Sequence, residues 1–252
     1  LFATAVILKK YRRHVFSGFK VNDLRAIFSD GQMKKFFSLN ADLFLRSLCI
    51  MGIYAGMTVI SARFGDMMLA VSSILVQLMM IFSYFTDGFA YAGEALTGKF
   101  IGRKDRDAVK KTVRDIFCWS MGVAAVFVLL YGFFGRQMLY VLTSDTAVVD
   151  AAMEFIPWLL PMPVVGCAAF TWDGIYVGAT ASKPIRNSSF WAVAGFFAVW
   201  FSAYYAMKTA ITENPATAVH ILMAAFLSHL IIRMVYESVL YRKSVLEAPF
   251  RR

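Results

Sequence analysis

"YFTDGFAYAGEALTGKFIGRKD" (Tyr84–Asp105) sets two carboxylates, Asp87 and Glu94, inside an apolar run that ends in a cluster of Lys and Arg. A second stretch, "AFTWDGIYVGATASKPIRNS" (Ala169–Ser188), does the same with Asp173. A charged side chain at bilayer depth is costly, and such residues face a bundle interior or a water-filled cavity. Acids in both runs therefore point to movement of a solute or ion across a membrane.

The rest of the 252-residue chain fits that setting. It is 59% hydrophobic and 17% charged, with a mean hydropathy of +0.61; a soluble domain is nearer half apolar and a quarter charged. Six apolar segments, Phe36–Ala62, Leu69–Phe100, Ile116–Phe134, Phe155–Thr180, Phe190–Met207 and Ala218–Tyr241, reach or approach the roughly 20 residues that cross a bilayer as a helix. The strict alternation of a membrane β-strand is absent. The sequence predicts an all-α integral membrane protein, with residues 36–252 forming a six-helix transmembrane lobe. Six buried helices of a large soluble protein are the competing arrangement.

The net charge of +10 is not spread evenly. Of the 26 Lys and Arg, 21 fall in Lys9–Lys35, Lys99–Arg114, Lys183 with Arg186, and Arg242–Arg252. Three, Arg63, Arg136 and Lys208, fall in the intervening loops, and Arg46 and Arg233 lie inside helices. Such alternation follows the positive-inside rule. It makes the basic side and the C-terminus cytoplasmic, and it is not the pattern of a nucleic-acid-binding face. Cys49, Cys118 and Cys167 lie far apart within spanning segments. With neither metal-ligand nor redox spacing, they read as small core residues; no cofactor and no resident metal are expected.

"LFATAVIL" (Leu1–Leu8) runs into "KKYRRH". A signal peptide places its charge before the apolar run, not after it. Residues 1–35 are therefore expected to be the end of a truncated transmembrane helix plus a cytoplasmic connector. Asn22 or Asp23 could cap a short interfacial helix bearing Leu24, Ile27 and Phe28, with a turn at Asp30-Gly31.

Counting about 1.5 Å per residue from the nearest basic residue places Arg46 ~16 Å, Asp87 ~18 Å, Asp173 ~15 Å and Arg233 ~14 Å deep. The midplane lies about 15 Å down, so four helices place charge near one level. Asp42, Glu94 and Glu237 sit closer to the cytoplasmic surface. Asp42 with Arg46, and Arg233 with Glu237, are four apart and can pair along one helix side; Asp173 is a second candidate partner for Arg233. Tyr84, Asp87, Tyr91, Glu94 and Gly98 form one helical stripe. Gln77 and Asn40 could line a cavity or bond to a neighbouring helix. Five carboxylates face two guanidiniums, an excess of three acids. A carboxylate without a partner in low dielectric favours its protonated form, and can exchange H⁺, bind Na⁺ (Asp87 above all) or attract an organic cation.

"FTDGFAYAG" (Phe85–Gly93) and "FTWDGIYVG" (Phe170–Gly178) echo one another, each with Asp-Gly followed by a further Gly that permits close helix approach. Pro157, Pro161 and Pro163 either kink the helix leading to Asp173 or mark its late start.

At these positions the chain resembles the multidrug and toxin extrusion (MATE) family, in particular its DinF-like branch. Tyr84–Gly102 is similar to the eighth-helix pattern "YFxDGFAxAxEALxGxxIG". Asp173–Ser188 resembles the "DGIxxGAT…RNS" segment joining helices ten and eleven, and "NADLFLRSL" (Asn40–Leu48) resembles the seventh-helix pattern. Lys99 and Phe100 depart from the small or uncharged residues more usual there. The resemblance implies the C-terminal half of a twelve-helix, two-lobe transporter in the inner membrane. Such a protein exports xenobiotics, chiefly organic cations, by alternating access in exchange for H⁺ or Na⁺. Its missing partner would be the N-terminal lobe of the same polypeptide, which in this branch carries the best-known proton-linked acid. Asn40, Asp42, Arg46, Asp87, Glu94 and Asp173 are the matching positions. The alternatives are a lipid-linked saccharide flippase of the same superfamily, which needs a more cationic cavity, and a non-transporting membrane subunit. An enzyme is not expected.

Overall fold

A computed structural model describes residues 32–250, which contain helices and turns and no strand. The expectations for Leu1–Leu8, the interfacial helix and the Asp30-Gly31 turn lie outside the described residues. The described residues divide between Ala41 and Asp42 into two compact units. The first contributes only the opening turns of helix α1 (Gln32–Ser61); everything below, except where Asn40 is named, concerns the second.

Gly65, at φ 94°, ends a short 3₁₀ turn and releases the chain into α2 (Asp66–Gly102). Asp66 in the first turn of α2 and Lys99 in its last complement the helix dipole. At 37 residues, α2 is about 55 Å long and overruns a ~30 Å apolar core. Asp105 caps α3 (Arg106–Leu142) by accepting from the Ala108 amide at 2.9 Å, and α3 bends at Phe134 (φ −121°, ψ 17°). Asp145 caps α4 (Thr146–Met153) in the same way through the Ala147 amide.

Helix α5 (Ile156–Leu159), with Pro157 in its first turn, leads into α6 (Pro161–Gly178), which opens on Pro161. Proline has no amide hydrogen to continue a helix, and α4 meets the α5–α6 run at 65°. The prolines thus both break the span and start the helix that carries Asp173. Thr180, at φ 54°, turns the chain into α7 (Ser182–Ala206). Helix α8 (Lys208–Glu213) and α9 (Ala216–Tyr241) follow, with a π-type turn at Arg242–Glu247.

Among the described residues five helices are long and apolar enough to cross a membrane, and the bent α4–α6 run brings the number to six if it crosses as one broken span. The limits expected from hydropathy fall short. Ile116–Phe134 grows to Arg106–Leu142 and Phe190–Met207 starts eight residues earlier, at Ser182. Charged first turns continue a helix beyond the apolar core without adding hydropathy, so an apolar window cuts them off.

An apolar core gathers Leu78 and Phe82 of α2, Phe127 and Tyr131 of α3, Cys167 of α6, Phe196 of α7 and Phe226 of α9. Tyr131 donates to the Leu78 carbonyl at 2.7 Å, so its buried hydroxyl is satisfied. A second cluster joins Val109, Trp172, Ile175, Tyr176, Ile185 and Val245. Trp119, Phe133, Phe201 and Val239 point outward, as lipid-facing side chains do. Cys167 is buried and Cys49 half-buried, but Cys118 is exposed; it belongs to the outer face of α3 and not to the core expected of it.

Candidate functional site

Asp173 lies on α6 between the two apolar clusters, 8% exposed. Its Oδ2 accepts from the terminal nitrogens of two arginines, Arg46 of α1 and Arg233 of α9. The Arg233 side chain is 1% exposed and that of Arg46 24%. The Arg233 guanidinium also lies 5.7 Å from the centre of the Phe170 ring, a cation–π contact. One carboxylate therefore ties three helices together. Asp173 Oδ1 and the Nε atoms of both arginines have no hydrogen-bond partner among the described residues.

Asp42, one turn before Arg46 and buried, accepts from the Ser182 hydroxyl at 2.6 Å and from Arg186 at 2.7 Å. The expected Asp42–Arg46 pair is therefore not formed; each residue reaches across to another helix. An i,i+4 pair contributes only about 0.2–0.5 kcal/mol. Leaving Asp173 or Asp42 without a cation inside the bundle costs several kcal/mol. Of the two partners expected for Arg233, Asp173 holds it. Arg186, read from the sequence as a loop charge, is instead the partner of Asp42, which lowers the excess of acids from three to two.

Glu237, one turn beyond Arg233, is fully buried within the bundle. Its Oε1 lies 2.6 Å from Ser188 Oγ, and its main-chain carbonyl accepts from the Tyr176 hydroxyl at 2.5 Å. Asp87 is half-buried on α2, within electrostatic reach of Asp173, Arg46 and Tyr54. It forms no ion pair among the described residues.

The remaining expected site residues are not brought into this cluster. Tyr84, Tyr91 and Gln77 are exposed on α2, and Glu94 is half-buried with no partner among the described residues. Asn40 belongs to the first unit and donates to the Phe36 carbonyl at 2.8 Å. The stripe from Tyr84 to Gly98 does exist, but it turns only partly inward.

The echoed segments pack directly against each other. Gly174 sits against the Ala90 carbonyl and Gly178 against the Glu94 carbonyl, so closely that a Cβ at either position would overlap backbone. Both contacts step by four residues on each helix, so α2 and α6 run parallel in one register. Asp87 and Asp173 are thereby held on facing helices at a fixed separation.

Sequence reasoning missed Ser182, Ser188 and the buried His229, one turn before Arg233, whose ring packs against Phe226 at 4.6 Å. The small polar residues after the α6–α7 turn were the available signal. At the opposite end, Trp158 donates to His220 Nδ1 at 2.9 Å, and His220 Nε2 lies 3.1 Å from Glu154. No group of three or more His, Cys, Asp or Glu suited to a metal occurs among the described residues.

A family model described as MatE matches residues 43–201, which hold Arg46, Asp87, Asp173 and Arg186 of the cluster but not Asp42, Arg233 or Glu237. The chain is 35% identical over 166 residues to DNA damage-inducible protein F of Escherichia coli (strain K12), covering 66% of this chain and 36% of that protein. It is 28% identical over 166 residues to Protein DETOXIFICATION 43 of Arabidopsis thaliana, covering 66% and 32%. With Protein DETOXIFICATION 42 of the same plant it shares 24% over 124 residues, covering 48% and 24%. The aligned part spans about a third or less of each relative's length. The chain belongs to the MatE family, whose members are multi-pass membrane transporters and not enzymes.

Proposed function

We propose that this chain forms one lobe, the C-terminal one, of an efflux antiporter that exports small organic cations by alternating access in exchange for H⁺ or Na⁺. The observation that carries this is Asp87. It is a half-buried carboxylate within an apolar helix that no ion pair neutralises among the described residues, facing a cluster whose arginines are already engaged by Asp173. In low dielectric such a group takes up H⁺, Na⁺ or a cationic substrate. Acids in the spanning segments outnumber guanidiniums by two even when Arg186 is counted, which does not suit a lipid pyrophosphate and gives the flippase alternative no support. The 21-to-3 bias of basic residues supports a cytoplasmic C-terminus, in keeping with an inner-membrane protein. A second lobe would cover the exposed side of Asp87.

Replacing Asp87 by Asn tests the proposal. In proteoliposomes containing the full transporter, gradient-driven export of a fluorescent organic cation is expected to fall at least tenfold while the protein remains folded. Unchanged export would reduce Asp87 to a packing residue.

A further inference from the structure

A hydroxyl carries one hydrogen, and at Ser188 that hydrogen faces two acceptors. Ser188 Oγ lies 2.8 Å from the Ile185 carbonyl oxygen and 2.6 Å from Glu237 Oε1. A main-chain carbonyl can only accept. If the Ser188 hydroxyl bonds back to Ile185, as serines in helices do, the short contact to Glu237 needs a hydrogen supplied by the carboxyl group. Glu237 is 0% exposed. Its Oε2 has no partner among the described residues, which a neutral carboxyl oxygen tolerates far better than an ionised one.

The charged and titratable groups facing Glu237 are few. Arg233 lies one turn away on α9, Asp173 and Tyr176 on α6, and Arg46 on α1; Ser188 of α7 supplies only a hydroxyl. Both arginines donate to Asp173, and neither donates to Glu237. Asp173 and Glu237 thus compete for one buried guanidinium, that of Arg233, whose Nε is unused.

We propose that Glu237 is a proton-carrying, positioning residue of this lobe, protonated in the arrangement seen here and donating its carboxyl hydrogen to Ser188 Oγ. Loss of that proton to water leaves an anion one helical turn from Arg233. The guanidinium then swings from Asp173 to Glu237, and Asp173, left with the partly exposed Arg46, becomes able to hold a cation. Proton release and cation binding are coupled through one side chain. That coupling step rests on the antiport reading above; the protonation of Glu237 does not.

Infrared difference spectra of the lipid-reconstituted protein, recorded as pH is raised, test the protonation directly. The unaltered protein is expected to lose a buried carboxylic-acid C=O band that Glu237→Gln lacks, and that Ser188→Ala shifts in frequency. Identical carboxylic-acid bands in the unaltered protein and in Glu237→Gln would overturn the inference. Binding of ethidium, the cationic probe, tests the coupling. Affinity is expected to rise with pH, by up to about tenfold per pH unit for one linked proton. That slope should shrink in Glu237→Gln and return in Glu237→Asp. An unchanged slope in Glu237→Gln would overturn the role of Arg233 as relay. If the unaltered protein binds no ethidium at any pH, the antiport reading fails, while the infrared band still decides whether Glu237 carries the proton.

Discussion

Helices α2 and α6 meet backbone to backbone, whereas α1 buries little of its length and adds charged anchors to a short apolar contact. At the α2–α6 contact, Gly174 and Gly178 admit the carbonyls of Ala90 and Glu94 with no room for a methyl group. Along α1, only 17% of the most apolar stretch is buried, against 56% for the last span. Its charged anchors are Arg46 on Asp173 and Asp42 on Ser182 and Arg186, with Ile53 and Met57 beneath them. Close-packed backbone does not deform gradually, so α2 and α6 form a rigid plate that fixes Asp87 against Asp173. Ion pairs can exchange partners without repacking a core, so α1 is the element best able to shift when the charge on the cluster changes.

The largest effect is expected from filling the α2–α6 contact. Gly174→Ala drives a Cβ into the Ala90 carbonyl and should cost about 3 kcal/mol, read as a lowered midpoint in a detergent thermal-unfolding assay. Because the plate carries the site, labelling of the buried Cys167 by a membrane-permeant maleimide should rise as well. Unchanged stability would mean that the two helices sit farther apart than described.

Asp42→Ala sharpens the contrast from the other side. It leaves Arg186 without its carboxylate, and because that arginine is 29% exposed the cost is about 2 kcal/mol, below the ~3–5 kcal/mol of a fully buried pair. Here the expected signature is local. Half-buried Cys49 on α1 should label faster while Cys167 stays protected. Equal acceleration at both cysteines would show that α1 and the plate move as one.

The smallest effect is expected away from both regions. Arg136 and Asp150 pair between α3 and α4 with more than half of each side chain exposed. Exposed pairs contribute little, so Arg136→Ala should leave the unfolding midpoint and both labelling rates within error. A clear loss of stability would show that exposed ion pairs matter as much as the α1 anchors do.

How far the sequence was legible follows from these same residues. Asp87, Asp173, Arg46 and Arg233 stood out because charge inside an apolar run is costly wherever the chain folds. The glycines after each Asp pointed to close helix contact, which α2 and α6 make. Partner choice was not legible. Asp42 and Arg46 are good neighbours on one helix, yet both pair across the bundle, because buried charge on α6 and α7 has greater need of them. Arg186 and Ser188 looked like loop residues until α7 was seen to begin at Ser182.

The sequence by itself determined the membrane setting, the six apolar segments, the direction of the charge bias and which four charged residues lie deep within apolar runs. Each follows from composition and from a fixed rise per residue, which need no knowledge of neighbours. Only the tertiary structure decided which acid holds which arginine, that Glu237 and Ser188 belong with Asp173, and that Asp87 is left without an ion pair. Those outcomes depend on distances between helices far apart in the chain, and a helix's own periodicity fixes the direction of a side chain but not what it meets.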